Sequence, residues 1–409
     1  MKEKKLVPRR RFEEFQNADA WEQRKLSELG KVTTGKAFSS ADFNEDGEYL
    51  VITNKDISDS KRSQNTVTDR INTSDDKLIS QYKLNGENIL VTMDGVNLGK
   101  TGMYSNDKAL LAQRVGRIQS DQIEFVYQVT SNPEFLSVMR TLSVGNAIKH
   151  ISLKQIADYT SFVPTNKEEQ AKIGSFFANL DDTITLHQRK LEKTKAMKSA
   201  YLAEMFPAEG ERVPKRRFAG FTGEWKRRRF NEVIELFSGL TYSPNDVNES
   251  GTFVLRSSNV QNGEIVDADN VYVNSEIVNS DNVREGDIIV VVRNGSRSLI
   301  GKHAQIKKGM DRTVIGAFMT GIRSCQSNFI NALLDTQDFK REVDKNLGAT
   351  INQITNGMFR DMSFLFPDNK EQQLIGEFFK KLDESINNQQ QKLDKLKAIK
   401  QAYLEEMFV

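Results

Sequence analysis

The chain is one plan written twice, and any fold it adopts must be built from two related halves. Val7-Pro8-Arg9-Arg10-Arg11-Phe12, followed by Phe15, returns as Val213-Pro214-Lys215-Arg216-Arg217-Phe218, followed by Phe221. Trp21 returns as Trp225, and these are the only tryptophans. Gly35 and Ser39 return as Gly239 and Ser243. Further on, Gly86, Ile89-Leu90-Val91 and Gly95 match Gly286, Ile289-Val290-Val291 and Gly295. Gly145 and Ile148 match Gly348 and Ile351, and Pro164 matches Pro367. The tails are closest: residues 174–206 align without gaps on 376–408, with 19 of 33 positions identical. Two divergent heads on two near-uniform tails imply that the heads meet different things, while the tails meet the same thing or each other.

The tails read as long helices. Ile375, Phe379, Leu382, Ile386, Leu393, Leu396, Tyr403 and Met407 fall on alternating steps of four and three, with Gln389 and Lys400 in the gaps. Ile173, Phe177, Leu180, Ile184, Leu191, Tyr201 and Met205 follow the same rule, with His187, Thr194 and Lys198 in the gaps. This is a heptad seam, whose polar positions set register and partner choice. It serves either a helix lying on its own head or, as length and uniformity favour, pairing between the two tails.

The heads read as mixed α/β. Short β-like runs occur at 48–52, 88–92, 252–255 and 287–292, separated by turn-rich segments. A helix is expected over 123–129 or 133–142, and another from 328 towards 343. With 409 residues, 38% of them hydrophobic and 24 of them Phe, the chain has material for more than one core. The charged start Met1-Lys2-Glu3-Lys4-Lys5 is followed by no apolar stretch, which predicts a soluble, cytoplasmic protein without a signal peptide. Cys325 is the only cysteine, which excludes internal disulfides and thiolate zinc sites, and it reads as a small buried hydrophobe.

Catalytic motifs fail one by one. Gly95 to Thr101 imitates a phosphate loop, but only three residues separate Gly95 from Gly99 where four are needed. No Asn-Pro-Pro-aromatic motif grips a flipped base; the nearest string is Asn132-Pro133-Glu134-Phe135. His150, His187 and His303 form no ligand-spaced pair. The formal charge of +2 announces no nucleic-acid binder, but Arg9-Arg10-Arg11, Lys215-Arg216-Arg217 and Lys226-Arg227-Arg228-Arg229 are basic runs. Such runs serve either as phosphate contacts or as docking edges.

What remains is a set of polar loops at matching places. Thr53, Asn54 and Lys55 match Arg256, Ser257 and Asn259. Asp94, Asn97 and Lys100 match a loop carrying Arg293, Asn294 and Arg297. Asn146, Lys149 and His150 match a segment carrying Asn352 and Gln353. Asn, Gln, Arg and Lys reach base edges in the major groove, and they are also ordinary loop residues.

Taken together these pieces resemble the specificity (S) subunit of type I restriction–modification systems. The carriers are the opening Val7-Pro8 to Phe15 with Trp21, the Gly86/Gly286 strands, the Gly145 and Gly348 pieces, and the tail Pro-x-Asn-Lys-Glu-x-Gln before Phe176-Phe177 and Phe378-Phe379. The resemblance implies an α+β fold with an internal pseudo-twofold repeat: two mixed α/β target-recognition domains separated by a long antiparallel coiled-coil pair. The expected divisions are 1–163 (with a basic arm over 1–20), a spacer helix over 164–208, 209–366, and a second spacer helix over 367–409. Each domain would read one half of an interrupted asymmetric site in double-stranded DNA. Phe177, Leu180, Ile184 and Leu191, with Phe379, Leu382, Ile386 and Leu393, would hold the helix pair or dock two modification subunits; restriction subunits would join that core, and phage DNA mimics would compete. The chain itself would be non-catalytic, bind no metal and meet no membrane, with S-adenosylmethionine, ATP and Mg held by partner subunits. The rival reading is a coiled-coil scaffold or adaptor with two protein-binding heads.

Overall fold

The computed structural model describes residues 7–57, 68–145, 149–347 and 352–409. Its contacts divide the chain into two units, Met1–Arg189 with Gln391–Val409, and Lys190–Gln390. Each unit takes one head, the start of one long helix and the end of the other.

The first head is built on a six-stranded sheet in the order Lys31–Thr34, Val115–Gln119, Lys83–Thr92, Thr101–Leu111, Tyr49–Ile52, Arg70–Ile71. Its pairs are antiparallel except Tyr49–Ile52 against Thr101–Leu111. The second head repeats this order with one edge strand more, Val247–Asn248, and breaks it into two four-stranded sheets. The long strand Thr101–Leu111 becomes two, His303–Gln305 and Thr313–Ile315, with the charged, Gly-containing segment 306–312 between them. In each head a two-stranded ribbon ties entry to exit: Glu22–Lys25 with Thr160–Val163, and Lys226–Arg229 with Ser363–Phe366.

The matched glycines Gly35 and Gly239 have a steric reason. A Cβ on Gly35 would lie 2.2 Å from the Leu111 carbonyl oxygen, and one on Gly239 2.0 Å from that of Gly316. Both sit where the backbone runs against the neighbouring strand, beside the parallel bridges Lys36–Ala112 and Leu240–Gly316. Only glycine permits that approach.

The predicted helices over 123–129 and 133–142 both exist, as Ile123–Ser131 and Pro133–Leu142. Asn132 separates them, its side chain accepting from the Phe135 N–H at 2.7 Å. In the second head the expected run from 328 towards 343 likewise breaks into Ser327–Leu334 and Gln337–Asn346, capped by Thr336. A polar cap that starts a new helix outcompetes continuation of the old one. Cys325 is exposed, contrary to expectation. It sits in the turn between the strand Met319–Arg323 and the helix Ser327–Leu334, where no core reaches it.

The tails form helices of 39 residues each, Lys167–Met205 and Asn369–Met407, about 58 Å at ~1.5 Å per residue. Their packing is antiparallel in each unit. In the first, Ile173 and Phe177 share a core with Met407, and Tyr403 meets Phe176 edge-on at 5.1 Å. In the second, Ile375 and Phe379 share a core with Met205 and Phe206, and Tyr201 meets Phe378 at 5.1 Å. The same clusters include head residues: Trp21, Phe125 and Ile156 in one, Trp225, Phe329 and Phe364 in the other. Helix on head and helix on helix are therefore not alternatives; the seam ends do both. Phe177, Leu191, Phe379 and Leu393 are buried, while Leu180, Ile184, Leu382 and Ile386 are half-buried.

Candidate nucleic-acid interface

The interface candidates begin with what the basic runs do not do. The Arg11 side chain is 6% exposed and makes a two-pronged pair with Glu169, which has no exposed side-chain surface, at 2.6 Å for both bonds. Arg217 repeats this with Glu371 at 2.6 and 2.7 Å. Arg10 pairs with Glu406 and lies over Tyr403; Arg216 pairs with Glu204 and lies over Tyr201. The last two residues of each run, Arg10-Arg11 and Arg216-Arg217, are docking contacts that fasten the arm to the helices and spend their charge on carboxylates. In the third run, Arg227 donates to the Ser363 carbonyl and Arg228 pairs with Glu232.

The polar loops behave differently, because in each head they converge. In the first head Asn54 donates to the Asp94 carboxylate, the Gly95 N–H donates to the Lys149 carbonyl at 3.2 Å, and Asp94 and His150 form a β-bridge. In the second head Asn294 donates to the Ser257 hydroxyl at 3.3 Å, its N–H points to the Asn352 carbonyl at 3.4 Å, and Arg293 and Gln353 form the bridge. Asn352 also donates to the Gly295 carbonyl at 3.2 Å. Segments far apart in sequence thus make one surface, twice, through the same backbone contacts.

Those contacts correct the pairing of the repeats. Thr92 and Gly99 exchange N–H and carbonyl groups with Lys100 and Thr92 as Val291 and Gly301 do with Lys302 and Val291. Ile89 faces Ile118 as Ile288 faces Ile322. Ile89 therefore corresponds to Ile288, not Ile289, and Asp94 to Arg293. A slip of one residue in a strand exchanges its two faces, so the sheet register and not the glycines decides. The second loop is longer, and Gly295 falls within the extra length.

Within this frame the candidates divide. Asn259 has no exposed surface; it accepts from the Arg256 N–H and donates to Val266, Ala268 and Asn270, so it clasps its own loop. Asp94 is 7% exposed and takes Arg114 at 2.9 Å as well as Asn54. Thr53 gives its hydroxyl and N–H to Asp56. These three shape the loops. Lys55 is exposed beside Asp69 at 3.2 Å, Lys149 and His150 are exposed, and Asn97 and Lys100 are half-buried at the loop rim. Arg256 pairs with Asp269, and Arg297 stands 3.9 Å from Asp344. Asn146 lies outside the described residues, as do Ile148, Gly348 and Ile351.

Sequence reasoning missed two residues at the centre of this surface. Arg114 adopts φ 63°, a rare conformation for a side-chain-bearing residue, and its carbonyl accepts from the Met93 N–H at 3.0 Å. Phe318 occupies the same place in the second head, accepts from the Val292 and Arg293 N–H groups at 3.0 and 3.2 Å, and is 54% exposed under the Arg293 guanidinium. Both stand on a short turn between strands that no periodicity marks. Among the described residues no group of His, Cys, Asp and Glu is arranged to hold a metal, and no helix is long and apolar enough to cross a membrane.

Comparison with known proteins identifies the family and the fold. The family model for the type I restriction modification DNA specificity domain matches residues 18–196 and again 222–398. The MjaVIII specificity subunit of Methanocaldococcus jannaschii is 25% identical over 339 residues, covering 78% of this chain and 77% of the relative. The EcoBI specificity subunit of Escherichia coli is 23% identical over 268 residues, covering 60% of this chain and 54% of the relative. The crystal structure of the type I S subunit from M. genitalium has the same fold, with a TM-score of 0.70, 14% identity and 99% coverage of both chains. The chain belongs to the type I restriction–modification DNA specificity family and carries two copies of its recognition domain.

Proposed function

We propose that the three convergent loops of each head are its DNA face, and that the two heads read different halves of one interrupted site. The observation that carries this is the twofold recurrence of one backbone arrangement bearing different side chains: Asp94, Arg114 and Lys149 in one head, Arg293, Phe318 and Asn352 in the other. A shared frame with exchanged side chains is what two related readers of unlike sequences require, since phosphate contacts position a protein and base-edge contacts specify it. A scaffold with two protein-binding heads would have no need to keep this frame. As a specificity subunit the chain is itself non-catalytic and carries no cofactor. We assign S-adenosylmethionine, ATP and Mg to its partners: two modification subunits docked on the helices, and restriction subunits joined to that core. The functional divisions are 1–163, 164–208, 209–366 and 367–409, the compartment is the cytoplasm, and phage DNA mimics would compete for the loops.

Alanine at Lys55, Lys149, Arg293, Arg297 and Asn352, tested by gel shift with the modification subunits present, measures the assignment. A base reader should cost ~1–3 kcal/mol on the cognate site and relax one position. A phosphate contact should weaken all sequences alike and flatten the salt dependence. Unchanged affinity and salt slope in all five variants would place the DNA face elsewhere.

A further inference from the structure

The second head holds one arginine in a way that the others of its surface do not share. Arg256 and Arg297 each stand beside a carboxylate. Arg293 has none within ion-pair distance among the described residues; its guanidinium lies 5.0 Å from the centroid of the Phe318 ring. Its backbone is held on three sides: its own N–H and that of Val292 donate to the Phe318 carbonyl, and Ile354 donates to the Val292 carbonyl at 2.8 Å. The bridge to Gln353 closes the third loop against it.

A guanidinium laid on a ring uses its face and none of its N–H groups. Its five donors lie in the plane, at the edge, and remain free for another partner. The ring also limits the orientations the fork can take, so less entropy is lost when it binds. In the first head the corresponding residues are Asp94 and Arg114, joined by an ion pair at 2.9 Å through one guanidinium N–H, so that the position of Arg293 is held by a carboxylate. One structural position therefore carries a carboxylate paired with Arg114 in one head and an arginine with no carboxylate beside it in the other.

Resting on the reading of the convergent loops as the DNA face, we propose that Arg293 reads a guanine in the half-site of the second head, with Phe318 as its positioning residue. The guanine major-groove edge presents N7 and O6 as neighbouring acceptors, and the arginine fork matches them with two parallel bonds. In the first head the same position is Asp94, a carboxylate that has no N–H to give to N7 and O6.

The test uses the full chain assembled with its modification subunits, on the site defined by methylome sequencing. The second head's half-site is the one that changes when that head is exchanged. Each guanine of it is replaced in turn by 7-deazaguanine, which lacks the N7 acceptor. The natural complex should lose affinity on the order of tenfold at one guanine. Arg293→Ala should bind the natural site more weakly and be indifferent to that replacement. Phe318→Tyr should keep the discrimination, and Phe318→Leu, equally apolar but without a ring, should lose much of it. A merely structural role for Phe318 would lower binding to both DNAs by the same factor. A half-site without guanine, or equal weakening of Arg293→Ala on every sequence with a flatter salt dependence, would overturn the proposal. If Lys149, Arg297 or Asn352 variants weaken binding and Arg293→Ala does not, this inference fails alone; if none of them does, the DNA face itself is misplaced.

Discussion

At the scale of single residues, the most informative pair is Arg217 with Glu371, and its twin Arg11 with Glu169. Each glutamate is fully buried, and its arginine also donates to backbone carbonyls of the arm, Gly223 in one unit and Ala18 and Asp19 in the other. The arms are thus tied to the helix starts by glutamates that water does not reach. Removing one partner of a buried pair strands the other, at a cost of roughly 3–5 kcal/mol. Arg217→Ala should therefore lower the denaturant midpoint of the chain markedly, and Arg217→Met with Glu371→Gln together should recover much of the loss. A shift of less than about 1 kcal/mol in the single variant would mean that the arm is held by packing alone. Basic runs are ambiguous in sequence for a physical reason: an arginine that neutralises a phosphate and one that neutralises a buried glutamate look the same until Glu169 and Glu371, over 150 residues away, are brought to it.

At the scale of elements, the tail helices were legible and the partners of their polar seam positions were not. The gaps at Lys198 and Lys400 are filled by ion pairs with the facing helix: Lys198 with Asp383 at 2.5 Å, and Lys400 with Asp181 at 2.6 Å. Asp335, from the second head, also reaches Lys198 at 2.5 Å. Burial works against the Lys198 ammonium, but Asp335 and Asp383 outweigh it and raise its pKa above the ordinary lysine value. Its contribution to stability is therefore full below the ordinary lysine range and is lost only as pH rises through the raised value. Gln389 donates to Thr194 at 3.4 Å in the same unit. Polar residues so paired fix register, since a slip of one heptad would strand each of them. Lys400→Asp or Asp181→Lys alone should loosen the helix pair and reduce assembly with the modification subunits, and the two together should restore it. Analytical ultracentrifugation of the three variants reads this out, and a double variant no better than the singles would remove these pairs from the register argument. The heptad seam was readable because both helices bury alternating fours and threes; the partners of its lysines lay on another element, where no local pattern points.

At the scale of the whole molecule, the close similarity of the two tails has a packing cause. Each helix serves two cores. Gly174 lies against the Phe125 backbone, where an added Cβ would stand 2.7 Å from the nitrogen, and Gly376 stands in the same relation to Phe329 at 2.6 Å. At the other ends Phe206 meets Trp225 at 5.7 Å and Phe408 meets Trp21 at 5.8 Å. Each head's tryptophan is thus covered by the end of the other copy's helix, so the heads diverge in their loops while keeping the residues that the helices touch. The repeat, the Trp pair and the terminal phenylalanines were visible in sequence, but their exchange between copies was not, because only tertiary contact tells which Phe covers which Trp. The consequence is modularity with a stated boundary. Replacing residues 20–160 by those of another family member should change one half-site and leave the other, provided the incoming segment carries a tryptophan at the position of Trp21 and a helix like Ile123–Ser131 that accepts Gly174. Lacking the tryptophan, the exchanged head would expose Phe408 and Met407, a loss of several kcal/mol by the usual cost of emptying an aromatic site. Methylome sequencing of cells carrying the exchanged chain with its partner subunits reads both halves at once: one altered half is the expected result, and two altered halves, or none, would show that the heads do not read independently.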